Sequence, residues 1–449
     1  MEQSFCKHCS EELIKKELSA ADIVQSEQKD FLFPYTERYM ELYEKIQSGT
    51  LNAKGIIDTQ FEIFNTIETL KKSAKNKKLY KIINFEYLYD VWRMLANNIL
   101  DKYIFNCDPI VIRKLSLNDY RQDNYDSIHI KRYLEIAYEF LEEMPGALMV
   151  ITDLCLGSIK WGDIIRAYGN EIKGVEIKSG TPKNLQIMNA VETGNINRIL
   201  TKYDEKQFRR IQKQFIRMDE ISKVMSEKNI YVMDDGVLYP YFLDGISSYK
   251  AIFREEVVKP CNLFRNVDVD DCISFSINNT SGQNMLMTCK ENELICCMCK
   301  YGDELNAWAE NHYKYNEVEN ADVFVITYNE VLRNPYFPQP SSLNISADVI
   351  REMLNGSKAI QISINIEKLF EAIRQHGYKV YPKKTQEKPS DFVYKQKRWI
   401  IQKNDIKNQF SYMLINRIAF ACYSTKGILQ FIDMMFAFYE ICGDCNGDA

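Results

Sequence analysis

The chain has 449 residues, of which 46% are hydrophobic and 27% are charged, and its formal net charge at pH 7 is −5. This length exceeds what one ordinary core can hold, so we expect two or three domains, and the composition excludes a collagen-like or largely disordered chain. The negative charge excludes a protein that coats nucleic acid over its whole surface, but it allows one local basic face.

The sequence does not begin with basic residues followed by a hydrophobic run, so no secretory leader is predicted. It also contains no stretch of about 18 apolar residues, so no membrane span is predicted. We therefore expect a cytoplasmic protein with no membrane partner. The thirteen cysteines are then expected to be reduced thiols or metal ligands and not a disulfide framework.

Residues 1–126 are predicted to form a mostly helical N-terminal region. Apolar residues recur at spacings of three and four over 23–46 and 51–70, and an aromatic-rich helical pattern covers 79–103. The stretch 106–125 is rich in Asn and Asp, which indicates a connecting segment before the next domain.

Residues 127–236 are predicted to contain a helix, three strands, a second helix and a fourth strand. Ser127 is predicted to cap the first helix, and Pro145-Gly146 is predicted to end it. The strands are predicted at 147–152, 163–168, 173–178 and 230–233, with a hairpin turn at Gly169-Asn170.

Residues 237–449 are predicted to form a mixed α/β domain of unknown role, with nucleic acid or a partner protein as its ligand. Short strands are predicted within 271–299, a buried strand at 322–328, and helical segments at 346–355, 366–376 and 409–439.

A basic segment from Lys379 to Lys403 interleaves cations with aromatic residues, among them Tyr381 and Trp399. Two interpretations remain open for it. One is a strip that contacts nucleic acid, and the other, which charge runs generally favour, is a solvated loop and helix face.

Three polar residues stand at adjacent positions of the predicted hairpin: Asp163, Glu176 and Lys178. Glu176 and Lys178 flank Ile177 in an apolar strand, so they share one face while Ile177 packs on the other. Asp163 begins the preceding strand, and its spacing from Glu176 can place the two acids across the hairpin. Two acids can hold a hard divalent cation, and a lysine can face a phosphate or a water.

Residues 127–236 resemble the PD-(D/E)xK nuclease superfamily, the restriction-endonuclease-like fold. Its core has the order αβββαβ, with an acid at the start of the second strand and Glu/Asp-x-Lys in the third. The resemblance implies that Asp163, Glu176 and Lys178 are catalytic, and that Mg²⁺ (or Mn²⁺) is held by Asp163, Glu176 and the Ile177 carbonyl. The family pattern has proline before the acid, where this chain has Gly162.

The family often places a further glutamate in the first helix. Four residues compete for that role: Glu135, Glu139, Glu142 and Glu143, of which Glu139 and Glu142 lie away from the apolar face. Asp153, at the end of the first strand, is a rival or accessory to Asp163. Gln186 on the next helix is a further accessory candidate, although a helix-surface glutamine is the simpler interpretation.

The resemblance implies a metal-dependent endonuclease that hydrolyses phosphodiester bonds and prefers DNA, and by association with the family a role in defence against phage or mobile DNA. One alternative is a catalytically inactive nuclease-like fold that serves as an interaction module for nucleic acid or protein. Another is an RNase of the same fold. The sequence leaves a protein partner and a homo-oligomer open.

Two Cys-x-x-Cys pairs stand near the two ends of the sequence, Cys6 with Cys9 and Cys442 with Cys445. Four thiolates can hold one tetrahedral Zn²⁺, so these pairs form a candidate structural zinc site. Cys296, Cys297 and Cys299 are alternative ligands, and free thiols are the simpler interpretation. His312 and His376 are interpreted as surface histidines.

Overall fold

The computed structural model describes residues 11–105, 125–156, 162–169, 171–175, 177, 209, 230–232, 238–240, 245–260, 264–279, 323–333, 345–355, 357–383, 393–394 and 397–442. The chain divides into two compact units. We call residues 41–241 with 333–336 the site unit, and residues 1–40, 242–332 and 337–449 the sheet unit. Most of the predicted N-terminal region therefore belongs to the same unit as the hairpin.

Helices form the N-terminal part of the chain, as the apolar spacing predicts. They are α1 (Glu11–Gln47, with residues in both units), α2 (Ala53–Ser73), α3 (Lys77–Ile82), α4 (Phe85–Ile99, extended by a π-helical turn Leu100–Ile104) and α5 (Ser127–Glu143). Asparagine side chains cap three of them: Asn52, Asn76 and Asn84.

The cap of α5 differs from the prediction by one residue. Asp126 Oδ1 accepts hydrogen bonds from the backbone N–H groups of Ile128 (2.8 Å) and His129 (3.2 Å), so Asp126 and not Ser127 is the N-cap. The Ser127 hydroxyl instead donates to Glu68 Oε1 at 2.6 Å and ties α5 to α2.

The site unit contains a three-stranded antiparallel sheet in the order β1 (Leu148–Ile151), β2 (Ile164–Tyr168), β3 (Glu171–Val175). Tyr168 pairs with Glu171, so pairing resumes directly after a two-residue turn in which Gly169 adopts φ +59°. The third strand therefore begins two residues earlier than predicted and ends at Val175. Ile177, the described residue of the Glu-x-Lys segment, lies after this strand and not within it.

The outer edge of β1 is closed by a side chain. Gln60 of α2 is fully buried; its Nε2 donates to Met149 O and its Oε1 accepts from Ile151 N, both at 2.8 Å. One amide thus replaces the pair of hydrogen bonds that a neighbouring strand would supply.

The fourth predicted strand exists as β4 (Ile230–Val232), and its described partner is β5 (Leu238–Pro240) in an antiparallel pair. The chain is thus a mixed α/β protein with helices and small antiparallel sheets. No helix among the described residues is long and apolar enough to cross a membrane.

The sheet unit is built on an antiparallel sheet in the order β6-β7-β9-β8. Its strands are β6 (Phe264–Asp268), β7 (Ile273–Asn279), β8 (Val323–Thr327) and β9 (Lys358–Asn365), and its helices include α6 (Lys250–Val257), α7 (Ala347–Leu354) and α8 (Ile366–Gln375). Phe253 packs on Phe275 and Tyr328 at ring distances of 5.1 and 4.6 Å, within the buried core.

A second sheet in this unit contains β10 (Lys379–Lys383), β11 (Val393–Tyr394), β12 (Lys397–Lys403) and β13 (Ile406–Gln409), followed by α9 (Tyr412–Ala421) and α10 (Thr425–Cys442). Two expectations are wrong here. The described part of the basic segment is strand and not loop and helix, and the helical region predicted at 409–439 is interrupted at Cys422, where φ is +55°.

Candidate functional site

Asp163 is held at the point where the ends of β1, β2 and β3 meet. Its N–H donates to Val175 O (2.9 Å), its carbonyl accepts from Thr152 N (3.0 Å), and its carboxylate Oδ2 accepts from Ile177 N (2.6 Å). The side chain is half-buried. Because both the backbone and the carboxylate are tied, Asp163 presents a charged group in a fixed orientation.

Gly162 has a backbone conformation that proline cannot adopt. Its φ is +81°, whereas proline is restricted to φ near −65°. A Cβ at this position would lie 2.8 Å from both the N and the O of Val175, so the backbone of β3 leaves room only for glycine. The Gly162 carbonyl accepts from the Thr152 hydroxyl at 2.6 Å, which fixes the entry to β2.

Asp153, the predicted rival of Asp163, lies in a 3₁₀ turn (Thr152–Leu154) that follows β1, and it is half-buried. Arg93 of α4 holds this turn by its carbonyls: Nε donates to Leu154 O (3.3 Å), and Nη2 donates to Cys155 O (2.6 Å) and Asp153 O (3.4 Å). The buried Arg93 guanidinium thus fixes the backbone at Asp153.

Asn97 extends the same arrangement one turn along α4. Its Nδ2 donates to Leu156 O (2.8 Å), and its Oδ1 accepts from Leu156 N (2.7 Å). Residues four apart share a helix face, so Arg93 and Asn97 act together on the segment after β1. We did not predict either residue; the available signal was two polar residues four positions apart in the mostly apolar second half of α4.

The two glutamates predicted as accessory acids lie on the outside of α5. Glu139 is 66% exposed and its Oε1 is 3.7 Å from Arg132 Nη1. Glu142 is also exposed, whereas the buried face of α5 consists of Ile130, Tyr133, Leu134 and Ala137. The positions of Glu139 and Glu142 are those of surface residues.

Several predicted site residues lie outside the described part of the chain: Glu176, Lys178, Gln186, Cys6, Cys9, Cys445, Cys296, Cys297, Cys299 and His312. Cys442 is the last residue of α10. Among the residues that are described, no group of three or more His, Cys, Asp or Glu side chains is arranged to hold a metal ion.

The cysteines whose side chains are described are free and buried: Cys155, Cys272 and Cys422. Burial raises the pKa of the Cys155 thiol to about 12, against the attraction of the nearby Arg93 cation. Burial likewise raises the pKa of Cys422 to about 12. These thiols are therefore protonated at neutral pH and unsuited to nucleophilic chemistry.

His376 is an exposed surface histidine, as expected, and it also has a specific partner. Its Nε2 lies 2.8 Å from Asp433 Oδ2, and the other oxygen of that carboxylate accepts from the Tyr378 hydroxyl at 2.7 Å. Burial, followed by the Asp433 carboxylate, raises the pKa of Tyr378. This group joins the end of α8 to α10.

No family model, curated protein or solved structure matches the chain.

Proposed function

We propose that the site unit is a metal-dependent nuclease that hydrolyses phosphodiester bonds, with DNA as the expected substrate. One observation carries the proposal: the Asp163 carboxylate accepts a hydrogen bond from the backbone N–H of Ile177 at 2.6 Å. Glu176 and Lys178 are the chain neighbours of Ile177. The hairpin therefore brings the acid to the backbone of Ile177, the central residue of the Glu-x-Lys segment. This contact supports the arrangement that the resemblance to PD-(D/E)xK nucleases implies.

The donor atoms of this segment suit a hard divalent cation. Mg²⁺ and Mn²⁺ prefer carboxylate and carbonyl oxygens, and Asp163, Glu176 and the Ile177 carbonyl offer that set. The residues that would hold the ion are these three. When bound, the ion would lower the pKa of a coordinated water and stabilise negative charge on the phosphate.

The chain's own residues contribute orientation and charge. Asp163 is fixed through its backbone by Thr152 and Val175 and through its carboxylate by Ile177, so little reorganisation is needed when substrate binds. The Lys178 ammonium would lie beside the scissile phosphate and orient the attacking water or offset the phosphate charge.

A cleavage assay on plasmid, linear duplex, single-stranded DNA and RNA, with Mg²⁺, Mn²⁺ or EDTA, tests the proposal. We expect cutting that needs metal and falls at least about 100-fold in Lys178→Ala. Lys173→Ala is the matched control: Lys173 lies on β3 of the same hairpin, is exposed and pairs with Glu171 at 2.5 Å. This control should cut as wild type does.

The results separate the alternatives. Cutting that survives Lys178→Ala would refute the assigned site, and cutting of RNA alone would replace DNA by RNA as substrate. No cutting together with Mn²⁺ binding that is lost in Asp163→Ala would indicate an inactive nuclease-like fold. No cutting and no Mn²⁺ binding would refute the proposal.

A further inference from the structure

The β10–β13 sheet of the sheet unit has two faces of opposite character. Val380, Trp399 and Ile401 are buried on one face, and the Trp399 ring packs 4.5 Å from Phe370 of α8. Side chains alternate along a strand, so the residues between these positions form the other face, which we call the outer face. That face carries Lys379, Tyr381, Lys383 and Arg398 of the basic segment.

Pairing between strands arranges the outer face in three rows. Register places Lys383 beside Arg398, Tyr381 beside Ile400 and Gln409, and Lys379 beside Gln402 and Lys407. Neighbouring rows are about 6.8 Å apart, from a rise of about 3.4 Å per residue. An aromatic and aliphatic row therefore runs between two rows that contain cations.

The charge of the outer face is strongly one-sided. Its described positions hold three lysines (Lys379, Lys383 and Lys407), Arg398, whose Nε and Nη2 are buried, and no carboxylate. The chain as a whole, in contrast, carries a net charge of −5. Lys379, Lys383 and Lys407 are exposed. A local cationic surface on an acidic protein attracts polyanions to one place.

The Tyr381 ring is held in position on this surface. Its hydroxyl donates to Gln402 Oε1 at 3.0 Å, and Gln402 Nε2 donates to Asn404 O at 2.7 Å. A ring fixed before binding loses little conformational freedom when a flat group stacks on it. Lys379 and Lys383 lie two residues away on either side of Tyr381 in the same strand.

We propose that the outer face binds single-stranded nucleic acid, with a base stacked on Tyr381 and neighbouring phosphates contacted by Lys379, Lys383 and Lys407. Single strands bind to such surfaces because aromatic rings accept unpaired bases while cations follow the backbone. The described outer face is the surface of a sheet and presents no helix that could enter a duplex groove, so single strands fit better. This binding needs no metal and does not depend on cleavage by the site unit.

The first test measures binding of the full chain to a fluorescent 20-nucleotide oligothymidylate in EDTA, by anisotropy across a salt series. In Lys379→Gln/Lys383→Gln we expect affinity on the order of tenfold weaker at low salt, and a salt slope smaller by about 1.4, since each phosphate contact on a single strand contributes about 0.7. Lys368→Gln/Lys426→Gln removes two exposed lysines from the same unit and should bind as wild type does.

The second test isolates stacking. Tyr381→Leu should weaken binding by about fivefold or more, because base stacking on an aromatic ring is lost, whereas Tyr381→Phe keeps the ring and should retain affinity. Polyglutamate has charge but no bases, so its weaker binding should not change in Tyr381→Leu. Oligouridylate of equal length shows whether DNA or RNA is preferred.

Any of the following results would overturn the proposal: an absence of single-strand binding at low salt, an equal loss of affinity in the two double-lysine variants, or duplex DNA bound more tightly than the single strand. Equal affinity of wild type and Tyr381→Leu for the oligonucleotide would also do so, because it would leave only an unspecific charge effect. Cleavage is measured separately with metal, so its failure would not affect these readings.

Discussion

Gly162 lies against the backbone of Val175 so closely that a methyl group on Gly162 would stand 2.8 Å from both the nitrogen and the oxygen of Val175. This approach allows the next residue, Asp163, to donate its N–H to Val175 O and to receive the Ile177 N–H on its carboxylate. The position of the acid therefore depends on the absence of a side chain before it.

Gly162→Ala should lower the free energy of unfolding by about 3 kcal/mol, because it adds both the strain of a positive φ and a backbone collision. Gly169→Ala in the same hairpin is the control. Gly169 also has a positive φ, but a methyl group added there would meet no atom within 4 Å, so this variant should lose only about 1 kcal/mol. Urea unfolding measures the free energy of unfolding of both variants. Equal losses in the two variants would contradict the close approach of Gly162 to the Val175 backbone.

Asp163→Asn should retain the fold and lose Mn²⁺ binding. The amide oxygen of Asn can still accept from Ile177 N, so the hairpin keeps its hydrogen bond, but the negative charge that would hold a cation is gone. Calorimetric titration with Mn²⁺ measures the affinity, and circular dichroism checks the fold. Glu171→Gln, on the same hairpin and exposed, should leave the affinity unchanged. Unchanged affinity in Asp163→Asn would show that Asp163 does not belong to the proposed metal site.

Gln60→Leu should destabilise the site unit by about 2–4 kcal/mol, because it leaves the Met149 carbonyl and the Ile151 N–H buried and unpaired. Thr59→Val provides the comparison one residue away. The Thr59 hydroxyl donates to a helical carbonyl, Gly55 O, at 2.7 Å, so its loss should cost less than about 1 kcal/mol. Faster hydrogen exchange at the Ile151 amide would locate the effect, and unaltered exchange there would argue against the edge pairing.

Arg93→Lys should destabilise the segment that follows β1, although the positive charge is retained. A lysine ammonium cannot reach the three carbonyls that the planar guanidinium serves together, and we expect a loss of about 2–3 kcal/mol in unfolding free energy. Arg132→Lys on α5, where the arginine side chain is 57% exposed, should change stability by less than about 0.5 kcal/mol. Similar losses in thermal unfolding of both variants would contradict the role assigned to Arg93.

Stability should fall at alkaline pH partly because of Cys155. Its thiol has a pKa of about 12 in the folded protein and about 8.5 in an unfolded chain. Between these pH values the unfolded state loses a proton that the folded state keeps. The contribution of this thiol to the free energy of unfolding is therefore complete below about pH 8.5 and is lost as the pH rises towards 12. Between pH 7.5 and pH 9.5, ionisation of this thiol in the unfolded state should lower the free energy of unfolding by about 1.4 kcal/mol.

Cys155→Ala tests this dependence. Urea unfolding under reducing conditions at the two pH values should show a decrease in stability that is smaller by about 1.4 kcal/mol than in wild type. Identical decreases in the two proteins would mean that Cys155 is accessible to solvent in the folded state.

Local pattern was sufficient to predict the elements with strong periodicity or clear turns. The helices within 23–103, the strand β8, the helices α7 and α8 and the hairpin around Gly169 all follow from residue spacing. The register of the hairpin needed more. The pattern placed the third strand at 173–178, whereas pairing of Tyr168 with Glu171 starts it at Glu171, because the tight turn permits pairing at once.

The contacts between segments far apart in the chain could not be predicted from the sequence, for a different reason. Gln60, Arg93 and Asn97 look like ordinary polar helix residues, and each contacts backbone between 59 and 91 residues away along the chain. The basic segment 379–403 has a composition that suits a solvated helix or a strand equally well. Only its pairing with β13 and its packing on Phe370 separate a buried face from a cationic one.

The sequence by itself determined which residue types could perform chemistry and that an acid and a Glu-x-Lys segment flank one hairpin. It did so because turn residues and side-chain alternation are local properties of the chain. Tertiary structure decided where Asp163 sits, why glycine must precede it, and which side chains close the edge of β1. These outcomes depend on backbone groups from distant segments that meet at hydrogen-bonding distance. An unpaired polar group is costly when it is buried, so folding favours the arrangement in which each buried group has a partner.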